Sequence, residues 1–432
     1  MMFESLDHQP ALWFTLVFCA LLILNLGIKT WLASRHIKHV ALNRPTVPAA
    51  FSAQVSQAAH HKAADYTLSK ARFGLLDMAW SSAILLGWTL FGGLSAVNEW
   101  SAGVAQSLGW TAPNGIAVQL ILLAGFMVIS SLLELPVSAY QTFVIEQRFG
   151  FNTMNLQLWL TDLVKSTLIG AVIGLPIAAL ILWVMGATGT YWWLWAWGLW
   201  MGINLLLLLI YPTVIAPWFN KFKDLDDEAL KTRVTALMQK CGFTSKGLYV
   251  MDGSRRSAHA NAYFTGFGAA KRVVFFDTLL QKLSPTEVEA VLAHELGHFK
   301  HKHIIKRLVT MFASSLLGFA LLGWLAGQTW FYMGLGVAPN LGGPNDALAL
   351  LLFVMVIPLF TFFVSPVMSY FSRQHEFEAD AYAKQQTNAQ DLSSALLKLY
   401  EDNAATLTPD PVFVAFYYSH PPAAQRLAKL QA

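Results

Sequence analysis

The sequence predicts a mainly α-helical, polytopic membrane protein that also carries a folded α+β domain in water. Its 432 residues are 55% hydrophobic and only 12% charged, whereas soluble globular proteins carry roughly 25% charged residues. Repeated apolar windows reach the length of about 20 residues that a helix needs to cross roughly 30 Å of hydrocarbon. Aromatic and β-branched residues typical of strands occur in one long polar stretch of the chain.

Seven apolar windows predict seven membrane-spanning helices. They lie at residues 11–33, 75–98, 116–139, 163–186, 191–212, 304–327 and 348–371. The first window follows no basic segment and precedes no small-residue cleavage site, so we interpret it as a membrane helix rather than a signal peptide.

Lys and Arg are confined largely to alternate connecting segments. The segments 1–10, 98–115, 187–190 and 328–347 contain none, while 34–74, 140–162, 213–303 and 372–432 contain most of them. Because short basic loops stay in the cytosol, we predict the N-terminus outside and the C-terminus in the cytosol.

Four parts follow from these spans. Residues 1–212 are predicted to form spans one to five with their loops, 213–303 a folded cytosolic domain, 304–371 spans six and seven, and 372–432 a cytosolic C-terminal segment. All candidate chemistry lies in the two cytosolic parts.

Two alternatives are excluded by composition. Cys19 and Cys241 lie far apart with no CxxC pattern, which argues against a disulfide framework or a cysteine metal site. The net charge of +4 is small for a chain of this length, so we expect no nucleic-acid partner.

The stretch "SPTEVEAVLAHELGHFKHKH" at 284–303 predicts a capped helix. Ser284 is placed as the N-cap, Pro285 at the first helical position, and Glu287 three residues after the cap, as in a capping box with a proline start. A helix is therefore expected from about residue 285 through the histidines.

Within that helix, His294 and His298 are four residues apart and project from one face. This spacing suits two ligands of a single Zn²⁺, and Glu295 between them is placed to act as general base. The pattern predicts one catalytic zinc ion per chain.

A catalytic zinc site has three protein ligands, and the third must come from elsewhere. His301 would lie about 10 Å further along a straight helix, so we predict that His301, Lys302 and His303 lie at the membrane interface.

The stretch "SRQHEFEADAYA" at 372–383 supplies a better candidate for the third ligand. Glu376 is predicted to bind the metal and Asp380, one helical turn later, to accept a hydrogen bond from a zinc-bound histidine. No role is assigned to the neighbouring His375 and Glu378.

Residues 259–277 predict a β-hairpin, with strands near 260–266 and 272–277. Zinc peptidases hold substrate as an added strand on an exposed sheet edge, because backbone pairing binds a peptide without demanding a sequence.

With these residues the chain resembles the integral-membrane CAAX prenyl endopeptidases of type I. The matching segments are "ELPVSAYQTFVIEQRFGFN" at 134–152, "HANAYFTGFGAAKRVVFFDTLL" at 259–280, "HELGH" at 294–298, "EFEAD" at 376–380 and "SHPPAAQR" at 419–426. The resemblance covers essentially the whole chain and implies a gluzincin core with the ligands, base and aspartate named above. It also implies seven tilted helices that enclose a large water-filled chamber, closed on the cytosolic side by the protease domain.

The family pattern implies further site residues. Asn261 and Ala262 would be the edge residues that contact the substrate backbone, and His420 and Arg426 match the family's C-terminal His and Arg. We expect His420 to stabilise the negative charge that develops on the carbonyl oxygen, an effect worth about 3 kcal/mol for one donor. Arg426 is expected to support His420 and to help bind the substrate.

The resulting function is a membrane-embedded zinc metalloendopeptidase whose partners are the lipid bilayer and a peptide or polypeptide, including lipidated and membrane-associated ones. CAAX-type C-terminal processing follows from the resemblance. The composition looks bacterial, however, and favours as the alternative a quality-control protease of a bacterial inner membrane.

Other classes fit less well. An intramembrane site-2-type protease needs a zinc helix that spans the bilayer, and 284–303 is too polar for that. The smaller membrane heat-shock zinc protease does not account for seven spans. A transporter or receptor with a structural zinc would need four protein ligands. Asp77, Glu134 and Asn204, in or near the spans, receive no individual role.

Overall fold

The computed structural model describes residues 4–110, 115–243, 247–265, 272–340 and 343–431. These residues form sixteen α-helices and four strands. The helices are α1 Glu4–Asn43, α2 Gln57–Trp88, α3 Gly93–Ser107, α4 Ile116–Tyr140, α5 Leu156–Ala187, α6 Trp192–Ile210, α7 Glu228–Lys240, α8 Asp277–Leu280, α9 Pro285–Lys300, α10 His303–Leu325, α11 Thr329–Met333, α12 Asp346–Thr361, α13 Ser365–Gln386, α14 Ala389–Asp402, α15 Pro411–Tyr417 and α16 Ala423–Gln431. The strands are β1 Phe222–Asp224, β2 Gly247–Met251, β3 Ala262–Thr265 and β4 Arg272–Phe276.

Six of the described helical segments are long and apolar enough to cross a membrane, and a bent pair, α2 with α3, makes a seventh span if it is counted as one. Six of the seven predicted windows fall on the first group. The predicted span 75–98 falls on this bent pair, in which α2 and α3 meet at an angle of 52°. Gly92 lies between them with a φ of +78°, a left-handed conformation that glycine adopts without steric cost.

Apolar side chains cover the outside of the long helices. Trp13, Val172, Val309 and Leu317 are all more than 60% exposed, which would be costly in water over so large a surface. A buried cluster formed by α1, α4, α5, α10 and α12 lies inside. The exposed faces are therefore the ones that contact lipid.

A separate core holds the polar domain together. It combines residues of α7, β2, β4, α9, α13 and α14, so the C-terminal helices pack on the domain although two predicted spans separate them in sequence. The sheet and α7 to α9 all fall within 213–303, and the limits of the four predicted parts stay a prediction.

The sheet has the strand order β1-β2-β4-β3 among the described residues. β2 and β4 run parallel, and the other neighbours are antiparallel. β3 pairs with β4 so that Ala262 lies opposite Phe275, which confirms the predicted hairpin; its predicted end at 266 lies outside the described residues. β3 is an edge strand and presents one free side to a ligand.

The metal-motif helix α9 begins as predicted. The Ser284 hydroxyl accepts from the Glu287 N–H, and the Glu287 carboxylate accepts from the Ser284 N–H. Glu287 is buried and also accepts hydrogen bonds from Ser394 and Lys398 of α14, so the cap anchors α9 to the C-terminal helices as well.

Helix α13 crosses α9 at close range. A Cβ at Gly297 would lie 2.8 Å from the Ala379 Cα and 3.0 Å from its carbonyl oxygen, distances that real side chains do not adopt. The glycine between the two motif histidines therefore permits the contact that brings α13, and with it Glu376, to α9.

Candidate metal centre

Three side chains converge where α9 and α13 cross. His294 Nε2 and His298 Nε2 are 3.3 Å apart, and each lies 3.4 Å from a carboxylate oxygen of Glu376. His294 and Glu376 are buried, and His298 is half-buried. The structure thus brings together the three residues that the sequence predicts as ligands, across a sequence separation of about 80 residues.

The donor set fits a zinc ion. A tetrahedral Zn²⁺ with bonds of about 2.0–2.1 Å separates its ligand atoms by about 3.3–3.4 Å. This matches the distance between the two imidazole nitrogens and the distance from each of them to one Glu376 oxygen, Oε2 for His294 and Oε1 for His298. Glu376 Oε2 is buried and has no hydrogen-bond partner in the described part of the chain. A buried oxygen without a donor costs free energy, and a cation among the three residues would satisfy it.

The charged groups around His294 also favour a cation at this position. Burial by itself lowers the pKa of this imidazole, but its hydrogen bond with Asp380 and the nearby Glu376 carboxylate outweigh burial and raise the pKa to about 9. The two carboxylates thus favour positive charge at this position. Metal binding has to displace a proton here, so we expect zinc affinity to fall as the pH falls.

Asp380 and Arg426 hold His294 from behind. Asp380 Oδ1 lies 2.8 Å from His294 Nδ1, which leaves Nε2 to face the other ligands. Arg426 donates two hydrogen bonds to the Asp380 carboxylate, at 2.8 and 2.6 Å, and is 5% exposed. Its guanidinium is therefore occupied by Asp380, a geometry that favours positioning of the metal ligands over the predicted contact with substrate.

His298 has a corresponding support that the sequence reasoning missed. His303 Nδ1 lies 2.9 Å from His298 Nδ1, and His303 Nε2 lies 2.8 Å from Glu378. His303 is buried and stacks on His375 at 4.1 Å, and it is the first residue of the apolar helix α10, so its predicted place at the membrane interface stays a prediction. Lys302 adopts a left-handed φ of 56°, which ends α9 and turns His303 back towards the ligands. The sequence carries no signal for this turn, since a lysine rarely adopts that conformation.

A cavity of 510 Å³ opens beside the three ligands. Its lining includes Glu295, His294 and Glu376, together with Ala260, Asn261, Ala262, Tyr400, Asn403, His420 and Arg426. Glu295 is half-buried, and no hydrogen bond or ion pair is recorded for it within the described residues. Its carboxylate is therefore available to a proton on a group bound in the cavity.

His420 lines this cavity together with the first residues of the edge strand. Its Nε2 is 3.5 Å from Glu376 Oε1, and its side chain is 64% exposed. An imidazole in this place reaches the cavity without being locked into the ligand cluster, as a donor to a substrate oxygen requires.

A polar cluster fixes the start of the edge strand. His259 Nδ1 lies 3.0 Å from Asn403 Oδ1, and the same oxygen accepts from the Ala260 N–H. Asn261 and Ala262 follow at the free edge, and both line the cavity. His259 also lies 3.5 Å from Glu146, which links this segment to the membrane helices.

The crossing helices, the edge strand beside them and the membrane helices together define a membrane-embedded metallopeptidase. A family model described as the CAAX prenyl protease N-terminal region with five membrane helices matches residues 36–221, and one described as peptidase family M48 matches 224–432. The chain is 35% identical to a CAAX prenyl protease 1 homolog of Oryza sativa subsp. japonica, covering 96% of both chains, and 32% identical to CAAX prenyl protease 1 of Saccharomyces cerevisiae, covering 98% and 96%. The crystal structure of S. mikatae Ste24p superposes with a TM-score of 0.91 at 30% identity, over 97% of this chain and 99% of that one.

The chain therefore belongs to the integral-membrane CAAX prenyl endopeptidases of peptidase family M48, and it is a membrane-embedded metalloendopeptidase. The predicted family and fold class are confirmed. These relatives are eukaryotic, so the comparisons do not favour the bacterial quality-control role.

Proposed function

We propose that this metalloendopeptidase binds one zinc ion per chain through His294, His298 and Glu376 and cleaves the C-terminal end of prenylated CAAX polypeptides. The observation that carries the proposal is the set of three nearly equal ligand separations beside the free Glu295 carboxylate. The substrate class is supported by the names of the full-length relatives, which are CAAX prenyl proteases.

Each residue of the site has a separate role in hydrolysis. When bound, Zn²⁺ lowers the pKa of a water molecule and polarises the scissile carbonyl. Glu295 accepts a proton from the attacking water and returns it to the leaving amine. The free edge of β3 pairs with the substrate backbone next to Asn261 and Ala262, and His420 donates a hydrogen bond to the carbonyl oxygen as negative charge develops there.

Supporting residues keep the ligands in place. Asp380, held by Arg426, orients His294, and His303, held by Glu378, orients His298. Such partners typically change metal affinity by 10- to 100-fold. The two motif histidines thus each have a partner on their outer nitrogen.

Peptide cleavage tests the substrate class. The purified protein in lipid vesicles is expected to hydrolyse a peptide with a farnesylated CAAX terminus at the bond after the cysteine, and the same peptide without the farnesyl group more slowly. Product mass gives the bond, and Glu295→Gln protein serves as the blank. Equal rates on both peptides would show that the prenyl group is not recognised, and cleavage elsewhere would contradict C-terminal processing.

The charge distribution predicts which side of the membrane carries the site. In a chain with Cys19 and Cys241 replaced by serine, an impermeant thiol reagent should label Ser107→Cys in intact cells and Asp226→Cys only after permeabilisation. Both positions are exposed at helix ends or loops, so access depends on the membrane alone. Labelling of Asp226→Cys in intact cells would invert the orientation and place the active site outside the cytosol.

His420→Ala is expected to lower turnover by roughly 10²- to 10³-fold, the effect of one lost oxyanion donor, while zinc content stays unchanged. Measuring kcat and bound zinc side by side separates this role from metal binding. Ser419→Ala removes only the hydroxyl 2.9 Å from the His420 ring and serves as the matched control. An unchanged kcat in His420→Ala would remove this residue from the reaction.

A further inference from the structure

A second cavity, here called the side cavity, adjoins the catalytic cavity. It has a volume of 570 Å³ and is formed by α1, α2 and the segment from α14 to α15. Five residues line both cavities: Tyr400, Asn403, Ala405, Tyr417 and Tyr418. A ligand that extends from the metal centre past Asn403 therefore enters the side cavity.

The side cavity is lined by two lysines and, among the described lining residues, by no Asp or Glu. Lys70 donates to the Tyr66 hydroxyl at 3.3 Å, and that hydroxyl donates to Glu146 at 2.6 Å. The Glu146 carboxylate thus offsets part of the Lys70 charge.

Lys29 is different. It is half-buried and also lines a neighbouring cavity together with Asp77, but no carboxylate of the described residues, Asp77 included, lies within ion-pair distance of its ammonium. Its ammonium lies 5.0 Å from the centre of the buried Phe362 ring, so it points into the protein. A cation withdrawn from water without a counter-ion is costly, and an anion bound in the side cavity would offset that cost.

The edge strand indicates which part of a substrate reaches this cation. Antiparallel pairing, the more stable arrangement per residue, makes a substrate strand run against β3, so that its residues beyond the scissile bond pass 261, 260 and 259. The Ala260 N–H and the His259 ring both contact Asn403, which lines the two cavities. Three residues after the scissile bond span at most about 10 Å.

We propose that the side cavity binds the free α-carboxylate of the substrate through Lys29, with Lys70 contributing less. This inference rests on the proposed C-terminal processing and adds the group that marks the end of the chain. Binding of the carboxylate would favour cleavage at a short distance from a free C-terminus, because an internal peptide segment offers no anion there.

Two peptides that differ only at the C-terminus, a free acid and an amide, test the proposal. The wild-type protein is expected to cleave the acid with about ten- to hundredfold higher kcat/KM, the range for a hydrogen bond to a charged group. Lys29→Met and Lys29→Gln should bring this ratio close to one by slowing cleavage of the acid alone. Lys29→Arg should keep most of the preference, Lys70→Met should lose a smaller part of it, and Lys38→Met, an exposed position on the same helix, should keep all of it.

The cleavage rates of the acid and the amide test the carboxylate subsite separately from the proposed function. Equal cleavage of acid and amide by the wild-type protein would overturn the carboxylate subsite, including the case in which a lipid phosphate occupies Lys29, and would leave the proposed function intact. A full preference for the acid in both charge-removing variants would show that another group binds it. Cleavage of neither peptide by the zinc-loaded wild-type protein would instead contradict the proposed function itself.

Discussion

Glu295→Gln is expected to lower turnover by about 10²- to 10⁴-fold because the general base is lost. The protein should keep its zinc and its affinity for peptide. Gln has nearly the shape of Glu but cannot accept the proton of the attacking water. Glu295 forms no hydrogen bond or ion pair with another described residue, so the substitution breaks none of the polar contacts that hold His294, His298 and Glu376.

Zinc content, peptide affinity and single-turnover cleavage should be measured on the same preparation. Glu289→Gln, one and a half turns earlier on α9 and paired with Arg233, is the matched control and should cleave at the wild-type rate. Full activity of Glu295→Gln would end the assignment of this carboxylate as the base.

Glu376→Ala is expected to lose bound zinc and, with it, all activity. Its Oε2 lies 3.4 Å from His294 and its Oε1 3.4 Å from His298, and its removal also leaves these histidines and Arg426 with less negative charge nearby. His294→Ala should behave in the same way. In the wild-type protein, a chelator should abolish cleavage and added zinc should restore it.

Glu378→Gln, two residues along the same helix, provides a graded comparison. It contacts His303 and no ligand directly, so zinc should bind roughly 10- to 100-fold more weakly without being lost. Equilibrium zinc competition distinguishes the two variants. Stoichiometric zinc at wild-type affinity in Glu376→Ala would remove that residue from the ligand set.

Local sequence predicted those features that depend on local interactions. The capping box at Ser284 and Glu287 starts α9 as expected, since both partners lie within one turn. The hairpin strands are where β-branched and aromatic residues occur. The bend in the second span could not be predicted, because hydropathy reports the length and polarity of a helix but not its direction, and the bend at Gly92 depends on the backbone conformation.

The contact between His303 and His298 could not be predicted from the sequence. In the sequence, His303 is one residue of the basic run 300–303 next to a membrane span, and this position predicts a place at the membrane interface. Its burial against His298 requires both the left-handed turn at Lys302 and the presence of Glu378 on another helix. Arg426 is similar, since only the packing of α16 against α13 shows that its guanidinium binds Asp380.

Hydropathy along each apolar segment was enough to predict a multi-span membrane protein. The helical period and the capping residues, which act over one or two turns of chain, were enough to predict the helix that carries the HELGH motif. The sequence also pointed to Glu376 as the third ligand. Only the tertiary structure decided the separations among the three ligands, the partners of each outer imidazole nitrogen and the lysine-lined cavity beyond Asn403. Those features join helices that are far apart in sequence, and close packing at Gly297, rather than any local preference, sets their distances.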